Sequence, residues 1–156
     1  MKTIHTWLDE YGASHQNPVN KKIHRICVPL IMVSLIGLLW SIPVPHAFEA
    51  LPVPLNWAVL FMLITLCYYA VLSWRLTVGM VFMAVGLAAV SYGLDRISDP
   101  KLWQISVAIF VVAWIGQFIG HKIEGKQPSF LKDLHFLLIG PLWVLGSRYR
   151  SLGIRY

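Results

Sequence analysis

Charge is scarce in this sequence: 7 Asp and Glu and 13 Lys and Arg among 156 residues, 13% in all. A soluble domain carries roughly a quarter of its residues charged, so an ordinary water-exposed surface is excluded. Cysteine is nearly missing, and both copies, Cys27 and Cys67, sit in apolar segments. That excludes a disulfide framework and predicts buried free thiols. Residues 1–25 are polar and mixed, with no charged-then-apolar leader, so the chain is expected to be inserted rather than secreted. Neither an internal repeat nor a low-complexity stretch interrupts it, and one domain over residues 1–156 is expected. The formal charge of +6 and pI near 9.6 come from basic residues scattered at segment ends. Without a basic stripe interleaved with aromatics, nucleic-acid binding is excluded in favour of a cationic face toward anionic lipid headgroups.

What the chain has is hydrocarbon: 57% of residues are hydrophobic and the mean hydropathy is +0.64. It is gathered into blocks at 26–42, 55–72, 76–94 and 102–120. As helices rising about 1.5 Å per residue, these blocks measure roughly 25–29 Å, close to the hydrocarbon thickness of a bilayer. Uninterrupted apolar runs satisfy their backbone inside lipid as helices, whereas barrel strands are shorter and alternate. The predicted class is therefore an all-α integral membrane protein with about four transmembrane helices. A fifth apolar piece at 134–146 is short, contains Gly140 and Pro141, and reads as a re-entrant or interfacial helix.

Alternating the compartments puts Lys2, Lys21, Lys22, Arg25, Arg75 and every Lys and Arg from Lys122 onward on one side, and only Arg96 and Lys101 on the other. The positive-inside rule then makes both termini cytoplasmic. It leaves the proline-rich stretch 41–54, which has no Lys or Arg, as an external loop.

This topology brings four of the six histidines to one boundary. His15 and His24 precede the first block, His121 ends the fourth and His135 opens the fifth, while His5 lies near the chain start and His46 in the external loop. Imidazole is a common ligand for Fe, Zn and Cu, so convergence of rings from separate chain regions would make a metal site. Interfacial histidines that merely hydrogen-bond carbonyls or headgroups are the plainer reading, and no HExxH or HxxHH box decides between the two. Gln117, His121 and Glu124 share one helix face with Trp114 one turn deeper, and polar groups on a membrane helix face protein or a wet pocket. A helix starting near Asn17 or Pro18 aligns Asn20 with His24 and offers Asn17 as a cap. Trp7 and Tyr11 read as interfacial aromatics.

At these segments the sequence resembles a known family. The pattern YxxxHxNPxNxxIHxxxxP, met by Tyr11, His15, Asn17, Pro18, Asn20, Ile23, His24 and Pro29, is joined by WIxQFIGH at 114–121 and a following Glu124 and Pro128. Together they resemble the 2-hydroxy fatty acid dioxygenases, small polytopic membrane proteins, over essentially the whole chain. The resemblance implies an Fe2+-dependent enzyme of fatty acid α-oxidation that uses O2 to shorten a 2-hydroxy fatty acid by one carbon. The topology read from charge puts that site on the cytoplasmic face, with a bacterial inner membrane and the endoplasmic reticulum both left open as the membrane. Carried over by position, His15, His24 and His121 are the catalytic metal ligands, with His135 as a further candidate. Asn17, Asn20, Gln117 and Glu124 support them, with ligation by Glu124 left open. Lys21, Lys22, Arg25 and Lys122 are weaker candidates to attract the substrate carboxylate, with lipid anchoring the default reading of each. The rival reading is a non-catalytic scaffold or small transporter with structural histidines. Natural substrate and oligomeric state are left open.

Overall fold

The computed structural model describes residues 2–49, 55–97, 99–127 and 135–155, and among these the regular structure is entirely helical. The elements are α1 (Ile4–Ala13), α2 (Pro18–Trp40), α3 (His46–Glu49), α4 (Trp57–Leu72), α5 (Trp74–Asp95), α6 (Leu102–Glu124) and α7 (His135–Ser151). Polar residues at the block edges set the boundaries. Asn17 caps α2 by accepting from Val19 N at 2.8 Å, with Pro18 in the first turn where its missing N–H costs nothing. Asn56 caps α4 through Val59 N at 2.9 Å. Ser73 alone separates α4 from α5, ending one helix and accepting from Leu76 N at the start of the next. Gly125, at φ 70°, supplies the left-handed residue that closes α6.

Helices α2, α5 and α6 are long and apolar enough to cross a membrane. Their outward faces carry large apolar side chains such as Ile26, Phe82, Val85 and Val112, each more than 60% exposed. That is the reverse of a water-facing surface. The block expected to span at 55–72 forms α4, which has 16 residues and is shorter than the other three. Cys27 is buried and free as expected, whereas Cys67 is free but exposed, because its face of α4 points out of the bundle.

The antiparallel pair α2 and α6 shares the most extensive helix contact. Small residues let the two backbones approach: a Cβ at Gly116 would lie 2.6 Å from Cys27 Sγ, and side chains at Gly37 and Gly120 would collide with Ser106 and Asn20. Helices α4, α5 and α7 pack around this pair.

The first residues are a helix with its own buried stripe rather than a polar approach segment. Ile4, Trp7, Leu8 and Tyr11 recur at helical spacing, are all buried, and pack on α7. The fifth apolar piece runs on past Gly146 to Ser151, with Ile139 and Leu142 fully enclosed against α1, α2 and α5. Pro141 lies inside it, and the buried Tyr69 hydroxyl donates to the nearby Leu138 carbonyl at 2.7 Å. The core formed by α1, α7 and the adjoining ends of α4 and α5 thus wraps the end of the α2–α6 pair where the histidines lie.

A candidate metal centre of three histidines

His15 stands in the turn between α1 and α2, His24 two turns into α2, and His121 on the last turn of α6. All three are at least 95% buried, and their candidate ligand nitrogens lie within 4.8 Å of one another. The rings meet edge to face, with centroids 4.2 Å apart for His15 and His24, 5.1 Å for His15 and His121, and 4.8 Å for His24 and His121.

The backbone fixes two of the tautomers. A carbonyl only accepts, so His15 Nδ1–H donates to Tyr11 O at 2.6 Å and His24 Nδ1–H donates to Asn20 O at 3.1 Å. Both Nε2 lone pairs are left facing inward. His24 Nε2 and His121 Nε2 are 3.2 Å apart, within the range of about 3.0–3.5 Å for two nitrogens each bound about 2.1 Å from one cation. A direct imidazole pair would explain that distance alone. It leaves His15 Nε2 and His121 Nδ1 buried without a hydrogen-bond partner, which is costly for groups with nothing to hold. A cation gripped by the three rings satisfies His15 Nε2, so the residues fit a metal ion.

Burial lowers the His15 pKa to about 4 despite the opposing hydrogen bond from the ring to Tyr11 O. The ring is therefore neutral at physiological pH, as a ligand must be. Tyr11 stacks on His15 at 4.2 Å, and burial pushes its phenol up, so it stays protonated.

Glu124 is committed elsewhere. Its Oε1 accepts from Gln16 N at 2.7 Å, and its Oε2 from Asn17 N at 2.8 Å and Asn20 Nδ2 at 3.0 Å. One carboxylate from α6 thereby holds the turn that carries His15 and the helix start that carries His24. Lys126 adds a second tie, donating to Ala13 O at the end of α1 at 2.6 Å.

The polar supports named from sequence thus converge: Asn17 as cap, Asn20 and Glu124 as the strap, and Gln117 beside the rings. Gln117 joins His24, His121, Tyr11 and Trp114 around a cavity of about 60 Å³ whose far wall is Phe136, Gly140 and Pro141 of α7. On the other side of His15 an open cleft is lined by Lys21, Arg25 and Arg150; Lys22 and Lys122 are exposed and outside it. His135 is not brought to the group, and its ring stacks on Trp7 at 5.6 Å on the exposed side of α7.

Sequence reasoning missed several contributors. Tyr11 and Trp7 are buried packing partners of the histidines, not headgroup-level aromatics, because α7 covers them. Trp143 also packs near His15, at 5.3 Å. Gly116 and Gly120 form a small-xxx-small pair on α6 that allows His121 to approach α2; that spacing was the signal for them.

A model of the family described as "2-hydroxy-palmitic acid dioxygenase Mpo1-like" matches residues 1–152. The chain is 26% identical over 152 residues to the 2-hydroxy-palmitic acid dioxygenase MPO1 of Saccharomyces cerevisiae, covering 96% of this chain and 82% of that protein. No solved structure matches.

Proposed function

The chain belongs to the Mpo1-like family, and from that premise we propose that it is an Fe2+-dependent membrane dioxygenase that shortens 2-hydroxy fatty acids by one carbon. The observation that carries this reading is the buried group of three imidazoles with an unpartnered inward nitrogen. The imidazoles alone would suit zinc as well; iron comes from the family and from the need to handle O2. Balanced without an external reductant, the 2-hydroxy acid and O2 give the shorter acid, CO2 and water. Carbon then supplies all the electrons that O2 takes up.

His15, His24 and His121 are the residues to hold the metal. When bound, it would supply Lewis-acid and redox chemistry for the reaction of the 2-hydroxy acid with O2. The rest is done by the chain itself. The Tyr11 and Asn20 carbonyls keep the His15 and His24 rings oriented, and Glu124 fixes the spacing of the segments that bear them. Gln117 and the protonated Tyr11 phenol face the small cavity and can donate to an anionic headgroup there. Lys21 and Arg25, in the open cleft by His15, attract the carboxylate from the water side. Aromatic and aliphatic cover from Phe136, Trp143 and Pro141 excludes bulk water.

The membrane reading is completed by four spans, α2, α4, α5 and α6, with both termini in the cytoplasm and α7 as a re-entrant helix. The distribution of Lys and Arg supports this orientation, which places the metal centre beneath the cytoplasmic leaflet. A charged headgroup can then stay near water while its tail remains among helices.

The test is the metal content of the detergent-purified protein, followed by O2 uptake on adding 2-hydroxypalmitate with Fe2+ under reducing conditions. Bound iron and substrate-dependent uptake are expected. Absence of both would leave a non-catalytic scaffold with structural histidines.

A further inference from the structure

A second cavity, of about 270 Å³, lies deeper between α2, α4, α5 and α7. It shares Met32, Leu137 and Pro141 with the small cavity at the histidines, so the two adjoin at these side chains, which would form the neck between them. Among the described residues only Thr65 and Tyr69 bring side-chain oxygens to its lining, and the Tyr69 hydroxyl is already donating to Leu138 O. Such a wall offers little to a polar group and suits hydrocarbon. An apolar cavity of about 150 Å³ already holds a benzene ring, so the space is ample for a segment of alkyl chain.

Resting on the catalytic reading above, we propose that this cavity receives the hydrocarbon chain of the 2-hydroxy acid. Its head lies at the three histidines, its middle passes the neck at Met32, and its end reaches toward Ile36, Phe61 and Leu87. The length agrees. Along α2 the step from His24 to Met32 is about 12 Å and to Ile36 about 18 Å, while the acyl chains of one leaflet occupy about half of the 30 Å hydrocarbon core. The far wall therefore sets the chain length accepted, with Ala84 the small residue whose enlargement shortens the space.

The experiment uses the purified full chain with 2-hydroxypalmitate bearing a diazirine near its methyl end, photolysed and mapped by peptide mass spectrometry. Adducts on Phe61, Met62 or Leu87, competed away by unlabelled 2-hydroxypalmitate, are expected. Adducts on the outward side chains Phe82, Val85 or Val112 instead would overturn the assignment, since they report bilayer-like contact. In Ala84→Phe the ratio of turnover of 2-hydroxypalmitate to that of its ten-carbon homologue should fall by about tenfold or more with metal content unchanged; an unchanged ratio also overturns it. Saturable labelling of the cavity in a protein that consumes no O2 supports the acyl site while sinking the catalytic reading. Turnover with no labelling inside the cavity does the reverse.

Discussion

In the proposed metal site His15, His24 and His121 act together, so the loss of any one ring is expected to remove the function of all three. Single replacement by Ala should release the metal and abolish 2-hydroxypalmitate-dependent O2 uptake while the protein stays in the membrane. His5→Ala and His46→Ala, remote from the group, should leave both near wild type. Retained iron in any one of the first three variants takes that residue out of the ligand set. His15 also makes a pH dependence. Its pKa falls from 6.5 unfolded to about 4 in the folded chain, so between those values the unfolded state binds more protons. Stability of the metal-free protein is full above pH 6.5 and drains away as pH drops toward 4. A thermal melt in detergent should follow that course, and His15→Gln should make the fall less steep. Glu124 is the remaining single residue with a large expected effect. Glu124→Ala strips the acceptor from two backbone N–H groups and Asn20; water takes over at the exposed Gln16 N–H, while the buried Asn20 amide loses about 1–3 kcal/mol. Because it acts through the histidines, iron affinity should drop about 10–100-fold, as equilibrium dialysis would measure, while membrane insertion persists.

At the scale of elements, the site depends on how closely α6 lies against α2. Gly120→Val would drive a side chain into Asn20, and overpacking of this kind costs about 1–3 kcal/mol. The pair should splay where His24 faces His121, lowering both melting temperature and iron occupancy. Gly86→Val, on α5 with open space at its Cβ, is the matched control and should change neither. Helix α7 and helix α1 form the other working unit: α1 positions Tyr11 against His15, and α7 roofs the cavity with Phe136, Gly140 and Pro141. That is why a ten-residue helix outside the apolar blocks belongs to the site at all.

At the scale of the whole molecule, the proposed orientation rests on the uneven placement of Lys and Arg along the sequence. With Cys27 and Cys67 changed to Ser, Ala47→Cys in the loop helix α3 should react with a membrane-impermeant maleimide from outside intact cells. Leu152→Cys near the other end should react only after the membrane is opened. The opposite pattern would invert the topology and put the metal centre on the external side.

Membrane helices were legible because hydrophobic run length alone reports them, and α2, α5 and α6 lie where their blocks predict. The three histidines were legible because motif and topology placed them at one boundary. The burial of Tyr11 and Trp7 could not be read, since it depends on α7 folding back over α1, a contact between chain ends more than a hundred residues apart. Nor could the separation of His135 from its expected partners, which share its boundary but not its side of α7. The hydrogen bonds of Glu124 could not be read either, since its three donors converge from a distant turn. Periodicity and charge fix which segments leave water, because transfer free energy sums along the chain. Which side chains then meet depends on helix rotation and approach, which only packing in three dimensions decides.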